Sequence, residues 1–429
     1  MMKFYGWFIA VLILAAAGFF LFFRAPKVFE IKPADSVGSS STNPMGGIQG
    51  QPEAPIPTSS ILKSEVKKSS GDIENQQPLA NPPAVIKAIY ATGWSAGSTK
   101  KMDYLMKMID ETELNAIVID IKDYSGYVSY YIDEPLIKGS GALNELRILK
   151  PNALIKKLHE KQIYVIGRIS VFQDPILAGA HPEWALKSSS TGSVWKDNKG
   201  LAWMDPASKD VWNYDLTVAR DALTRGFDEV NFDYVRFPSD GSLNKIIYPV
   251  WDKKSSRASV IGSFFKYLRE NLGEAKLSAD LFGLVTVAID DLGIGQTLLK
   301  ALPYFDYIDP MVYPSHYASG FAGYKNPADY PYEVIKNSLE GAMLKIRNYE
   351  FEKVKSTSTT AASGTTEVVK TKEARAKIRP WLQDFNLGAT YDATKVRAEI
   401  KASEENEGQG WLVWNPANVY TREALLLAQ

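Results

Sequence analysis

The chain has 429 residues, 45% hydrophobic and 23% charged, enough for one large domain with extensions or for two ordinary domains. Its 49 basic and 49 acidic side chains cancel, which removes the electrostatic case for a nucleic-acid partner. Cysteine is absent and histidine occurs only as His159, His181 and His316. Disulfides, thiolate nucleophiles and cysteine-ligated zinc are thereby excluded, and neither a metal nor a cofactor is expected.

In chain order, the first feature is Tyr5–Phe23, an uncharged run of 19 residues. As a helix it would span the roughly 30 Å of a bilayer core. The run continues past the small residues Ala15–Ala17, beyond the ~7–15 apolar residues of a cleaved signal. Residues 1–24 therefore read as a transmembrane signal anchor, with a cleaved signal as the alternative. Pro33–Pro83 carries 24 Pro, Gly, Ser or Thr in 51 residues and no aromatic. Residues 25–83 read as a disordered linker, because such a composition buries too little apolar surface to order the chain. Residues 84–429 would then form a globular domain tethered to a membrane on its extracytoplasmic side. Within that domain Val354–Thr371, with nine Ser or Thr in 18 residues, reads as a disordered loop insertion (354–371).

From Val85 onward, short β-branched or aromatic runs alternate with helical stretches. Strands are predicted at Val85–Thr92, Ala116–Asp123, Ile163–Phe172, Phe227–Phe237, Lys276–Phe282, Tyr307–Tyr313, Lys377–Gln383 and Gly410–Asn415. Helices are predicted near Thr99–Glu111, Pro151–Lys161, Ser208–Arg225, Arg257–Asn271, Gly295–Leu302, Pro327–Asn348, Ala393–Ser403 and Thr421–Ala428. Pro151 suits a helix start, and Gly226 and Gly273 suit helix ends. Eight strand–helix units point to an α/β fold, the (β/α)8 TIM barrel, with a doubly wound open sheet as the rival. No Gly-x-Gly-x-x-Gly follows the first strand, which weakens the rival. Gly93–Lys100 superficially resembles a phosphate loop, but its Lys and Ser/Thr stand in the wrong order.

Period-two alternation sorts the strand residues by face. A barrel strand turns an apolar face to the helices, and its inward face becomes polar at the C-terminal mouth, where barrel active sites lie. With Ile117, Ile119 and Ile121 facing the helices, Asp120 and Lys122 point in. By the same rule Arg168, Asn231 with Asp233, Ser278 with Asp280, and Asp309 with Met311 and Tyr313 point in. Arg379, Trp381 and Gln383 share one face of the seventh strand, and the eighth ends near Trp414. Carboxylates gathered without metal spacing or a phosphate loop fit glycoside hydrolysis, which needs one carboxylic acid and one carboxylate. Trp94, Trp195, Trp203, Trp381, Trp411 and Trp414, in or beside loops and strand ends, would supply faces on which sugar rings stack.

Four separated blocks carry a family resemblance. They are Ala88–Gly93 (Ala-Ile-Tyr-Ala-Thr-Gly), Gly226–Pro238 (Gly-Phe-Asp-Glu-Val-Asn-Phe-Asp-Tyr-Val-Arg-Phe-Pro), Pro310–Tyr317 (Pro-Met-Val-Tyr-Pro-Ser-His-Tyr) and Arg379–Phe385 (Arg-Pro-Trp-Leu-Gln-Asp-Phe). From Val85 to the C-terminus the chain resembles the bacterial putative glycosyl hydrolase domain family, a resemblance that implies a TIM barrel and a carbohydrate-active role. Asp233 is the first choice as nucleophile or general base. Asp280 leads as general acid, ahead of Asp309 and then Asp120. Arg236 is expected to pair with Asp233 and keep it ionised. Asp120, Lys122, Arg168, Arg236, Tyr313, His316, Trp381, Gln383 and Trp414 are expected to bind a polysaccharide or oligosaccharide substrate. A catalytically silent glycan-binding barrel is the alternative. A divalent-metal hydrolase built on Asp120, Asp233 and Asp280 is the third reading.

Overall fold

The computed structural model describes residues 71–355 and 366–428. The anchor expected at Tyr5–Phe23 and most of the expected linker lie outside the described residues. Among the described residues no helix is long and apolar enough to cross a membrane.

Eight strand positions form one closed parallel barrel. They are β1 (Ile86–Ala91), β2 (Ala116–Lys122), β3 (Tyr164–Ser170), β4 (Glu229–Asp233), β5 (Leu277–Phe282), β6 (Tyr307–Met311), β7 (in two pieces, Lys377–Ile378 and Trp381–Gln383) and β8 (Gly410–Trp414). Each pairs with its neighbours in chain order, and β8 pairs with β1, so the sheet has no free edge. β7 is split at Arg379–Pro380 because proline brings no N–H to the ladder.

The crossovers are α1 (Thr99–Glu111), α2 (Pro151–His159), α3 (Lys209–Arg225), α4 (Arg257–Leu272), α5 (Leu298–Ala301), α6 (Pro331–Glu350) and α7 (Ala393–Glu405). Their starts are written in the sequence. Ser98, Ser208, Ser256 and Asp392 each accept a hydrogen bond from a first-turn backbone N–H, and Pro151 stands where its missing N–H costs nothing. Gly226 ends α3 at φ 102°, and a Cβ there would lie 2.6 Å from the Gln76 carbonyl oxygen. The helix expected at Thr421–Ala428 is not formed. A single 3-10 turn, Arg422–Ala424, stands there, and Leu427 bridges Thr112 beside the end of α1.

Two segments differ from their expected character. Residues 71–83, expected as the end of the linker, run against α2 and α3. Asp72 accepts from the backbone of Asn152 (2.9 Å) and Ala153 (3.1 Å), Gln76 N donates to the Arg225 carbonyl (3.1 Å), and Leu79 N donates to Asp228 (2.6 Å). The flanks of the 354–371 insertion pair as an antiparallel ladder, Phe351–Lys355 against Thr366–Lys370. Residues 356–365 lie outside the described residues.

Most of the core sits between barrel and helices, where Ile117, Ile119, Val165, Phe232 and Leu281 are fully buried. Inside the barrel Ile86, Ala88, Ala116, Val118, Ile166 and Leu412 form a separate apolar plug. Polar inward side chains border that plug, since Tyr164, packed in it, donates to Glu229 (3.2 Å).

Candidate active site

Arg168, on β3, organises the mouth. Its Nη1 donates to Asp120 (2.6 Å), its Nη2 to Asp233 and its Nε to Asp280 (3.3 Å). Three carboxylates from β2, β4 and β5 thus meet one guanidinium, and each is at most 5% exposed. β4 ends here because Tyr234 turns left-handed (φ 53°), with its N–H donating to Asp233 Oδ1 at 2.5 Å. Asp280 Oδ1 accepts from Asn231 (2.9 Å) and from the indole of Trp381 (2.7 Å). Asp120 accepts from the Tyr90 hydroxyl.

One positive charge cannot balance three negative ones in a dry site, and the acids respond. Burial first, then the charges of Asp233 and Asp309, pushes Asp280 well above the ordinary carboxylate range against the pull of Arg168. Burial likewise raises Asp120, to about 6. Asp280 therefore holds a proton more tightly than an ordinary aspartate does. Asp233 stands on the next strand, with both oxygens occupied as acceptors.

Deeper in the barrel is a second, closed ion cluster. Arg379 binds Glu229 (2.6 Å) and Asp309 (2.8 Å), with no exposed surface on any of the three. Asn231 links the layers, its Nδ2 lying 3.1 Å from Asp309 and 3.0 Å from Ser278. Asp309, raised by burial to about 6, is the register partner of Asp280 and is committed to Arg379.

Three expectations are corrected. Lys122 does not point in. The β2–β3 register slips between Asp120 and Lys122, a bulge that turns Lys122 outward, where it is buried against Asp215 (2.6 Å) and Asp174 (2.7 Å). Arg236 forms no ion pair with Asp233. After the left-handed Tyr234 its guanidinium packs on the rings of Trp203 (4.7 Å), Phe282 (4.8 Å) and Tyr234 (5.4 Å), and burial lowers its pKa. Gln383 has both polar atoms committed, Oε1 to Ser315 and Nε2 to the Phe385 carbonyl, and no exposed surface.

The rim on the β6–β8 side is aromatic. Tyr313 lies 5.7 Å from Trp414 and 5.8 Å from Phe385, with His316 beside it at 5.2 Å. The Tyr313 phenol is raised by burial and then by the charges of Asp280 and Asp233. Burial lowers His316 to about 4, so it is neutral, and among the described residues its Nδ1 has no hydrogen-bond partner. Of the six tryptophans expected near the mouth, Trp195, Trp203, Trp381 and Trp411 are buried packing, Trp414 is half-buried and Trp94 is 59% exposed. Sequence reasoning missed Tyr90, Glu229 and the bridging role of Asn231. For Glu229 the signal was present, since period two puts it on the face of Asn231 and Asp233.

Where Arg168 holds the three carboxylates, its guanidinium fills the position that a divalent cation would need. The fold and this mouth define a TIM barrel with a carboxylate-lined C-terminal end. The chain matches the putative glycosyl hydrolase domain family over residues 88–420 and belongs to it. A hypothetical protein from Ruminiclostridium thermocellum ATCC 27405 is 36% identical over 48% of this chain and 98% of its own, with a TM-score of 0.41. The glycoside hydrolase domain of PgaB (BpsB) from Bordetella bronchiseptica shares the fold, with a TM-score of 0.53 at 11% identity over 80% of this chain and 100% of its own. The α-galactosidase TtGalA from Thermus thermophilus, solved with stachyose, aligns at 15% identity over 81% of this chain and 65% of its own, with a TM-score of 0.43. No curated protein matches the chain.

Proposed function

We propose that the protein is a glycoside hydrolase that cleaves an extracellular or cell-envelope polysaccharide with Asp233 and Asp280. The observation that carries this reading is the Arg168 clamp, which holds Asp280, an acid whose proton affinity burial raises, beside Asp233 on the neighbouring strand. Asp280 gives its proton to the glycosidic oxygen as the bond breaks, while Asp233 attacks the anomeric carbon or takes a proton from the attacking water. Because Nε and Nη2 of one guanidinium hold the two carboxyls, the short separation of roughly 5 Å used by retaining enzymes is favoured. Asp120 is the second-choice acid, since Asp309 is committed to Arg379. Tyr313, His316 and Trp414 line the sugar at the rim, and Trp381 acts through its hydrogen bond to Asp280.

The test is reducing-end release from a panel of bacterial envelope polysaccharides by residues 71–429, beside Asp233→Asn and Asp280→Asn. Release that each substitution cuts by about a hundredfold or more supports the mechanism. Binding without release, unchanged in both variants, makes the protein a glycan-binding barrel. Release abolished by EDTA would restore the metal-hydrolase reading. The sequence of residues 1–24 supports a membrane-anchored enzyme with its barrel outside the cytoplasm. Release of the full chain from membranes by alkaline carbonate would overturn that placement.

A further inference from the structure

The Gly93–Gly97 segment has no part in the chemistry above. It leaves the end of β1 as one helical turn, with Thr92 accepting from Ser95 N at 3.1 Å. Neither of its glycines takes a positive φ. Both are required by close approach instead. A Cβ on Gly93 would lie 2.3 Å from Ser129 Oγ, and one on Gly97 would lie 1.8 Å from the Arg147 carbonyl oxygen. The turn is therefore pressed against the Arg147 backbone, and what it carries on its outer side is Trp94, 59% exposed.

Arg147 also fixes the ring. Its guanidinium lies 5.3 Å from the Trp94 centroid, while its nitrogens donate to Asp123 (2.5 Å), Glu145 (2.7 Å) and Ser125 (3.2 Å). The guanidinium thus backs one face of the indole and, with its single charge exceeded by those of Asp123 and Glu145, offers no attraction to an anion. Asp123 follows β2, three residues after Asp120, and its charge is felt at Asp120. Tyr124, next to it, is 52% exposed. The platform is thus continuous with the β1–β2 side of the mouth, and because β8 pairs with β1 the Trp414 end of the aromatic rim is on the neighbouring strand. A rigid, amphipathic ring with one free face, and with Arg147 outnumbered by the carboxylates of Asp123 and Glu145 beside it, suits the C–H face of an uncharged pyranose and disfavours an anionic one.

We propose that Trp94 is a remote sugar-stacking subsite, which holds a neutral hexose or N-acetylhexosamine residue of the same polysaccharide chain whose scissile bond lies at Asp233. This deepens the glycosidase reading and rests on it. The test uses the full-length chain carrying Asp233→Asn, so that bound glycans persist, on an array of neutral oligosaccharide series of increasing length, with and without Trp94→Ala and Trp94→Phe. The expected result is binding that strengthens with chain length, at least tenfold weaker for Trp94→Ala on the long members only, and largely restored by Trp94→Phe. Equal binding by all Trp94 variants at every length overturns the subsite and leaves the glycosidase reading standing. No binding to any series by the Asp233→Asn chain overturns the glycosidase reading, and the subsite with it. Because Trp94 is exposed, all variants are expected to melt together, and a lowered melting temperature in Trp94→Ala would mark the residue as structural.

Discussion

Arg168 carries one charge and faces three carboxylates, and that ratio decides how each acid behaves. An aspartate paired alone with an arginine is normally pulled below its ordinary value. Asp120 bonds Arg168 at 2.6 Å and still rises from 3.8 to about 6, because burial outweighs a guanidinium shared with Asp233 and Asp280. The sign for stability follows. Asp120 binds its proton more tightly folded than unfolded, so its contribution is full below about 3.8 and is lost as pH rises through about 6. Asp120→Asn keeps an acceptor for Tyr90 and cannot titrate. Its unfolding free energy should therefore fall less steeply between pH 4 and 6, by on the order of 3 kcal/mol across the window. The slope will not vanish, since Asp309, also raised to about 6, titrates with the same sign. Urea unfolding at several pH values measures both slopes, and parallel curves for wild type and variant would sink the assignment.

β2 shows why an element can be recognised from sequence while its last residue is misplaced. The run Ala116–Lys122 is legible as a strand because its isoleucines recur with period two, and that period puts Asp120 inside, where it lies. It also puts Lys122 inside, which is wrong, because the bulge exists only in the register with β3 and no pattern within β2 records it. The end of β4 fails in the same way. The left-handed Tyr234 breaks alternation just after Asp233, so Arg236 swings into an aromatic box instead of pairing. Behind the bulge, Lys122 meets two carboxylates, and the surplus acid, Asp215, is pushed up to about 7, chiefly by burial. Lys122→Met would strip both carboxylates of their cation in a site with no exposed side-chain surface. The expected loss is about 3–5 kcal/mol in urea unfolding. Adding Asp174→Asn and Asp215→Asn to Lys122→Met should recover part of it. A single variant as stable as wild type would show that the amine carries no such burden.

At the scale of the whole molecule, the alternation of eight strands with helices was enough to predict closure, because a parallel sheet must be covered on both faces and a barrel does this without edges. The start of the folded unit was not legible. Residues 71–83 read as linker by composition, since only Ile73 and Leu79 among them are sizeable apolar side chains. What holds them is specific pairing rather than hydrophobic mass. The Asp72 carboxylate takes two backbone N–H groups at the start of α2, Asn152 Nδ2 donates to the Ile73 carbonyl (2.9 Å) and to Asn75 (3.0 Å), and Leu79 packs on the barrel's interior plug. A chain starting at Ala84 loses all of these and uncovers the plug, whereas one starting at Gly71 keeps them. The cap is worth about 1 kcal/mol and the leucine about 1.5–3 kcal/mol, so the shorter chain should be less stable by roughly 2–4 kcal/mol. Asp72→Ala in the longer chain should account for about 1 kcal/mol of that difference. The acids gathered by Arg168 are remote from this strap in the fold, so hydrolysis measured well below the melting temperature should be the same for both chains. Coincident unfolding curves would place the true domain start at Ala84, whereas a shorter chain that is both less stable and less active would mean that the strap also supports the mouth.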